Sequence, residues 1–328
     1  MAFEAPKTLF GKRPFPYMRW KWPFILVSAI FMIWSAYLFV VNGLNLGVDF
    51  LGGTKLSVVF DQSITEVAIR KAVENLGLGD AQLVPFEGNG TKNAYILRIK
   101  YIEGRDAPGL VRQSFQNIFG EGKFNILSEE MVGPRVGEDL KHKAILSVVL
   151  TCILMLIYIG FRFDFLFAPG AIVALFHDVL ISVGFFIFFG KEFNLPILAA
   201  LLTILGYSIN DTIIIYDRIR ENVLEHHKRY SLSDIVDISL TETLRRTIVT
   251  SLTVFLVVVV LFYIGGGVLH DFAFCMMVGV VFGTYSSIFI ASPIYLGLQR
   301  LFPDRGMVTL PQRELNKPKK HNGPVLAA

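Results

Sequence analysis

Residues 206–222 read GYSINDTIIIYDRIREN, and the first half of that stretch sets how the rest of the chain is interpreted. Residues 195–216 are long and apolar enough to cross a bilayer, which takes about 20 residues at 1.5 Å each. Within them stand Tyr207, Ser208, Asn210, Asp211 and Thr212. An ionisable side chain at membrane depth costs at least ~2.5–3.5 kcal/mol on insertion scales, so Asp211 is a functional candidate by default. At helical spacing Tyr207, Ser208 and Asp211 share a face, and Arg218 lies on it two turns further on. Asp211 stands five residues before Tyr216, about 7–8 Å inside the cytosolic end of the span.

Five further segments have spanning length and composition: 23–41, 144–160, 165–189, 248–264 and 272–298. The whole chain of 328 residues is 53% hydrophobic and only 18% charged, with 29 Phe. A soluble domain is usually about 25% charged, so a polytopic α-helical membrane protein with six transmembrane helices is expected. Disorder is excluded by the same numbers. Cys152 and Cys275 both lie in apolar runs, which excludes a disulfide-stapled secreted module. The first span follows a basic stretch and is expected to be retained rather than cleaved, because no small-residue cleavage site appears in VNGLNLG (41–47).

Positive charge gives the orientation. The N-terminal segment 1–22 carries Lys7, Lys12, Arg13, Arg19 and Lys21; the segment 217–247 carries Arg218, Arg220, Lys228, Arg229, Arg245 and Arg246; the tail 299–328 is also basic. The short loops on the other side carry Lys191 alone. Both termini are therefore expected in the cytosol, with 217–247 lying amphipathically at the cytosolic surface, 299–328 as a solvated tail, and the insertion 42–143 outside. That insertion alternates strand and helix signals in the order βαββαβ. GTKLSVVF (53–60) has period two, Ser63 and Glu66 have capping-box spacing before a helical stretch, and turn residues separate AQLVPF (81–86) from NAYILRIK (93–100). A helix over 108–120 and a strand over 123–132 complete an α+β ferredoxin-like domain. Between Leu44 and Lys143 there are 13 acids and 12 bases, so no basic face offers itself to nucleic acid. With no nucleophile elbow, Gly-rich phosphate loop or metal-spaced His/Cys group, neither catalytic residues, a cofactor nor a metal are expected.

Two other spans carry polar groups. His177 and Asp178 lie halfway along the third. In the fifth, Thr243, Arg246, Thr250 and Thr253 follow at +3, +4 and +3, a stripe on one face that cannot sensibly meet lipid. If spans four and five pack together, Asp211 and Arg246 lie at similar depth and Asp178 forms a rung nearer the midplane. Desolvation favours a neutral carboxyl and a guanidinium favours an ionised one, so such a group can be poised to bind and release protons. A relay of Asp211, Arg246, Asp178, His177, Thr250 and Thr253 stands against a structural ion pair fixing two helices. Gly279 and Gly283 allow close helix contact in the sixth span.

Four motifs together carry a resemblance. They are GLNLGVDFLGGT (43–54), holding Gly47, Asp49, Phe50, Gly52 and Gly53; VGPRVG (132–137), holding Gly133, Pro134 and Gly137; GYSINDTIIIYDRIREN, holding Gly206, Tyr207, Asn210, Asp217, Arg218, Arg220, Glu221 and Asn222; and RTIVTS (246–251). In this order, and with this span layout, they resemble the SecD/SecF family of bacterial protein-export membrane proteins over nearly the whole chain. Tyr216 stands where the family is expected to have Phe, and the R-T-x-x-T-S frame assigns the family's arginine to Arg246 rather than Arg245. The resemblance implies half of an RND-like unit in the inner membrane. It would work as a SecF-type subunit beside SecD at the SecYEG translocon, with YajC and YidC as further partners, driving late, proton-gradient-dependent preprotein export without hydrolytic activity of its own. The glycine-rich motifs flanking the insertion are expected to be either φ > 0 hinges or tight connections. The alternatives are an RND-type proton-coupled small-molecule or lipid exporter subunit, an intramembrane aspartyl protease using Asp178 and Asp211, and a passive translocon scaffold. The Ile-Asn-Asp context at Asp211 lacks the Gly-rich setting such a protease needs.

Overall fold

A computed structural model describes residues 14–302 except 75, 79–80, 89–90, 164–165 and 228–229; the basic residues Lys7, Lys12 and Arg13 and the tail beyond 302 lie outside the described residues. Helix α1 (Tyr17–Asn42) leads through a one-turn helix α2 (Val48–Leu51) into the outer domain. That domain runs β1 (Gly53–Phe60), α3 (Glu66–Glu74), β2 (Gln82–Gly88), β3 (Thr91–Lys100), α4 (Ala107–Phe119) and β4 (Phe124–Val132). Its four strands are ordered β2-β3-β1-β4 and every neighbouring pair is antiparallel, which is the split βαβ arrangement expected from the sequence. Leu56, Val58 and Phe60 of β1 meet Ile69 and Val73 of α3 and Val111 and Phe115 of α4 in one core. The α4 N-terminus is capped by Asp106, which accepts from the Gly109 N–H at 3.2 Å.

The chain then returns to the membrane in α5 (Pro134–Arg162), followed by α6 (Ala168–Phe188), α7 (Leu195–His226), α8 (Leu232–Ile264), α9 (Gly266–Ser286), a π-helical segment (Ser287–Ala291) and α10 (Ser292–Leu301). Among the described residues six helices, α9 and α10 counting as one, are long and apolar enough to cross a membrane. Their helical bounds exceed the apolar spans: α7 and α8 continue beyond 216 and start before 248, so most of 217–247 extends the two helices. Polar residues end a span but do not end a helix, because each turn still satisfies its own backbone. The apolar windows of α6, α7 and α9–α10 are more than half buried within the chain, whereas those of α1, α5 and α8 are largely uncovered.

Close packing explains several glycines. A Cβ on Gly279 would lie 2.3 Å from the Ile204 side chain, and one on Gly283 would lie 3.2 Å from Ser208 Cβ, so both glycines let α9 settle on α7. The motifs flanking the outer domain meet each other: a Cβ on Gly137 would lie 2.9 Å from the Gly52 nitrogen, and one on Gly52 the same distance from Pro134 Cα. Gly52 (φ 73°) and Gly53 (φ 149°) need the positive-φ backbone that glycine permits. Gly47 (φ −76°) and Gly133 (φ −70°) do not. The base of the outer domain is thus closely packed, and of these four glycines only Gly52 and Gly53 have the positive φ that the hinge reading required of the motifs.

Candidate functional site

Asp178 and Asp211 sit in the central helices, and both are fully buried. Their surroundings differ. Asp178 on α6 accepts from Ser208 Oγ on α7 at 2.5 Å and from Ser286 Oγ on α9 at 2.8 Å, while its second oxygen lies 2.9 Å from His177 Nδ1. Its backbone carbonyl accepts from Ser182. One carboxylate therefore ties three helices at the point where Gly283 lets them converge. His177 Nε2, also buried, has no hydrogen-bond partner among the described residues.

Asp211 on α7 faces α8. Its Oδ2 accepts from Ser251 Oγ at 3.4 Å, and its Oδ1 has no hydrogen-bond partner among the described residues. Ser251 also shares a 2.6 Å hydrogen bond with Thr284 on α9. Among the described residues, the Tyr207 hydroxyl one turn away, which faces Ser251 and Thr250, and Thr247 Oγ1 one turn from Ser251 are buried without a hydrogen bond of good geometry. Native interiors leave few such atoms, and three of the six among the described residues belong to this one α7–α8 contact. A carboxylate with a free oxygen and unpaired hydroxyls beside it gains a hydrogen bond when it takes up a proton.

The expected polar stripe on α8 is rotated. Thr243, Thr247 and Ser251, at +4 and +4, are the buried residues, whereas Arg246 and Thr253 are exposed and Thr250 is half-buried. Thr250 donates to the carbonyls of Arg246 and Thr247, and Thr253 to that of Thr250, so both hydroxyls are satisfied by their own helix. Among the described residues Arg246 forms no ion pair with Asp211, which corrects the direct pairing expected from depth alone. The reason is geometric: +3 and +4 spacings both keep residues on one side of a helix, and only the packing angle selects which edge faces the neighbour. Asn210, next to Asp211, is also exposed.

The end of the motif away from the α+β domain is a clamp. Arg218 reaches Glu242 on α8 and Glu221 on its own helix, both at 2.5 Å, and Asn222 donates to Ser239 and Glu242. Asp217 meets Arg162 at the end of α5, and Arg220 is half-buried. Tyr216 donates its hydroxyl to the carbonyl of Ala291, the last residue of the π segment, at 3.1 Å, a bond that Phe would not make. At the outer end Asp49 accepts from the Leu195 N–H at 2.9 Å, so the opening motif's carboxylate sits on the first turn of the helix that carries Asp211. Phe50 packs on Phe193 in the same junction. Sequence reasoning missed Ser251, Thr247, Ser286, Glu192 and Glu242. Ser251 was findable as the last residue of RTIVTS, but a lone serine such as Ser286 in an apolar run carries no distinguishing signal. Among the described residues no group of three His, Cys, Asp or Glu could hold a metal ion.

The fold and site define a class: a multi-pass helical membrane protein with one α+β outer domain and buried carboxylates in its central helices. Residues 111–301 match the family model described as "Protein export membrane protein SecD/SecF, C-terminal", and residues 37–64 match the SecD/SecF GG motif. The chain belongs to the SecD/SecF family. It is 40% identical to the protein translocase subunit SecF of Calditerrivibrio nitroreducens over 82% of this chain and 89% of that protein, and 38% identical to the one from Haemophilus influenzae over 88% and 89%. Among solved structures, SecDF of Thermus thermophilus, a translocon-associated membrane protein, superposes with a TM-score of 0.74 at 33% identity, covering 86% of this chain. The chain spans 38% of the length of that SecDF chain.

Proposed function

We propose that this chain is the SecF-type subunit of a bacterial protein translocase accessory complex, working with SecD in the inner membrane to drive late preprotein export from the proton gradient. The observation that carries the mechanism is the under-satisfied Asp211 between α7 and α8. Asp211 exchanges the proton, and Ser251, Tyr207 and Thr247 supply the hydroxyl partners that its two protonation states alternately need. Arg246 stands on the uncovered side of α8, and Thr250 and Thr253 line the approach. Asp178 and His177 form the deeper rung, linked to the Asp211 helix through Ser208.

A SecD partner is supported by what the chain leaves uncovered. Asn210, Arg246 and Thr253 are exposed at membrane depth, and polar groups there belong against protein rather than lipid. SecD spans would cover that face. SecYEG, YajC, YidC and the emerging preprotein are the proposed wider partners. Both termini are placed in the cytosol by the charge distribution, which puts the outer domain where the preprotein emerges. Asp211→Asn keeps size but cannot titrate, so it should insert and assemble with SecD yet lose gradient-stimulated export of a reporter preprotein in membrane vesicles. Normal gradient-stimulated export by Asp211→Asn would show the residue to be a structural partner only.

A further inference from the structure

The outer domain meets the helical part where β2 lies against α9 and at a loop, residues 189–194, which leads directly into α7. Three contacts meet there. Leu46 and Phe193 form a backbone bridge, with Gly47 N–H donating to the Phe193 carbonyl at 2.8 Å and Phe193 N–H to that of Asn45 at 2.7 Å. Asp49 holds the first amide of α7. Glu192 forms an ion pair with Arg98, which stands on β3 of the sheet. Gly47 makes the third contact sterically feasible, since a Cβ there would lie 2.7 Å from Glu192 Oε1. The first two contacts hold residues of the base; the Glu192–Arg98 pair reaches past the base to the sheet itself.

Glu192 is 5% exposed, and removing both charges from water offsets most of their attraction, so such a pair contributes little net stability while fixing geometry strongly. Arg98 Nε remains buried without a partner, which weakens the pair further. A contact of small net free energy and strict geometry can open and close at little cost. Beside it lies a cavity of about 250 Å³, bounded by Gln82 and Lys100 of the sheet and by Leu46 and Leu51 of the base, which leaves room for the sheet to move. The 32-residue α7 runs as one helix from this loop through Asp211 to the clamp, about 48 Å at 1.5 Å per residue. A shift of that helix at Asp211 therefore reaches Glu192.

We propose that Glu192 and Arg98 are a positioning pair through which the outer domain follows α7: closed, the pair fixes the tilt of the sheet over the α6–α7 loop, and displacement of α7 during export is delivered to the sheet across it. This rests on the reading of Asp211 as the proton-exchanging residue.

The test uses the full chain assembled with SecD in vesicles, with Cys152→Ser and spin labels on Gln116→Cys of α4 and Leu269→Cys near the outer end of α9. Without a gradient a narrow label-to-label distance distribution is expected, and imposing a gradient should shift it. Arg98→Glu, which sets two carboxylates against each other, should broaden the resting distribution and abolish the shift. Arg98→Glu combined with Glu192→Arg should restore both. Arg98→Gln covers the case in which charge reversal prevents assembly, and it should also lose the gradient-dependent shift. An unshifted wild-type distribution, a normal shift in Arg98→Glu or Arg98→Gln, or a charge swap that assembles but restores nothing would each overturn the proposal. Failure of the Asp211 reading is separable: the resting distribution of Arg98→Glu reports on the pair without reference to export.

Discussion

Asp178 and Asp211 are two carboxylates on adjacent helices of the same protein, equally buried, and their hydrogen-bonding surroundings are opposite in kind. Asp178 is surrounded by Ser208, Ser286 and His177 and draws three helices together. Asp211 has one long hydrogen bond and a bare oxygen beside unpaired hydroxyls. Burial alone does not distinguish them; saturation does. A buried group held by several partners has little to gain from a change of state, whereas a sparsely bonded one has a second state within reach.

The largest effect that can break this contrast is Asp211→Asn, with loss of the gradient-stimulated part of export and little change in thermal stability, read from vesicle export and from the melting temperature of the purified complex. Asp178→Ala should do the reverse, since it strands the Ser208 hydroxyl and removes the partner of His177 Nδ1 and one of the two acceptors of Ser286. It is expected to destabilise the membrane part by roughly 2–4 kcal/mol and to lower the yield of inserted protein. If Asp178→Ala melted like the wild type and Asp211→Asn did not, the two assignments would be exchanged. Arg246→Lys keeps the charge and loses the fork, so a partial export defect is expected, smaller than that of Asp211→Asn because no ion pair is broken.

Orientation sharpens the same comparison by fixing the side from which Asp211 is closer. A reporter enzyme active only outside the membrane should be active when fused near Asn89 and inactive near His226 or after Lys320. Activity at His226 would invert the depth assigned to Asp211.

The smallest expected effect concerns Glu192. Burial pushes its carboxyl up from the ordinary value, while Arg98 and Lys55 pull it back and Asp49 adds to the rise. A raised value in the seated contact means that seating takes up a proton. Acidity outside should therefore tighten the seat, and the seat should loosen as pH rises through the raised value. The width of the outer-domain distance distribution measured against pH checks the sign: broadening on acidification would contradict it.

The polar residues of 206–222 were legible because charge in an apolar run is conspicuous, and the split βαβ order was legible because its strand and helix periods differ. The relay partners were harder to see. Thr250 and Thr253 looked as good as Thr247 and Ser251, because both sets lie within one helical edge of each other and only the α7–α8 packing angle chooses between them. Glu192, in a short loop, carried no periodic signal at all.

The sequence by itself determined the six spans, the βαββαβ order of the outer domain, the expected sidedness and the presence of acids at membrane depth, since each is a matter of composition and local period. The tertiary structure alone decided which acid is saturated and which is not, which edge of α8 faces Asp211, that Asp49 caps the helix bearing it, and that Glu192 holds the sheet through Arg98. Those are contacts between residues 30 to 146 positions apart. Their geometry is fixed by how glycine-lined helices and a tight domain base approach one another, which no local pattern encodes.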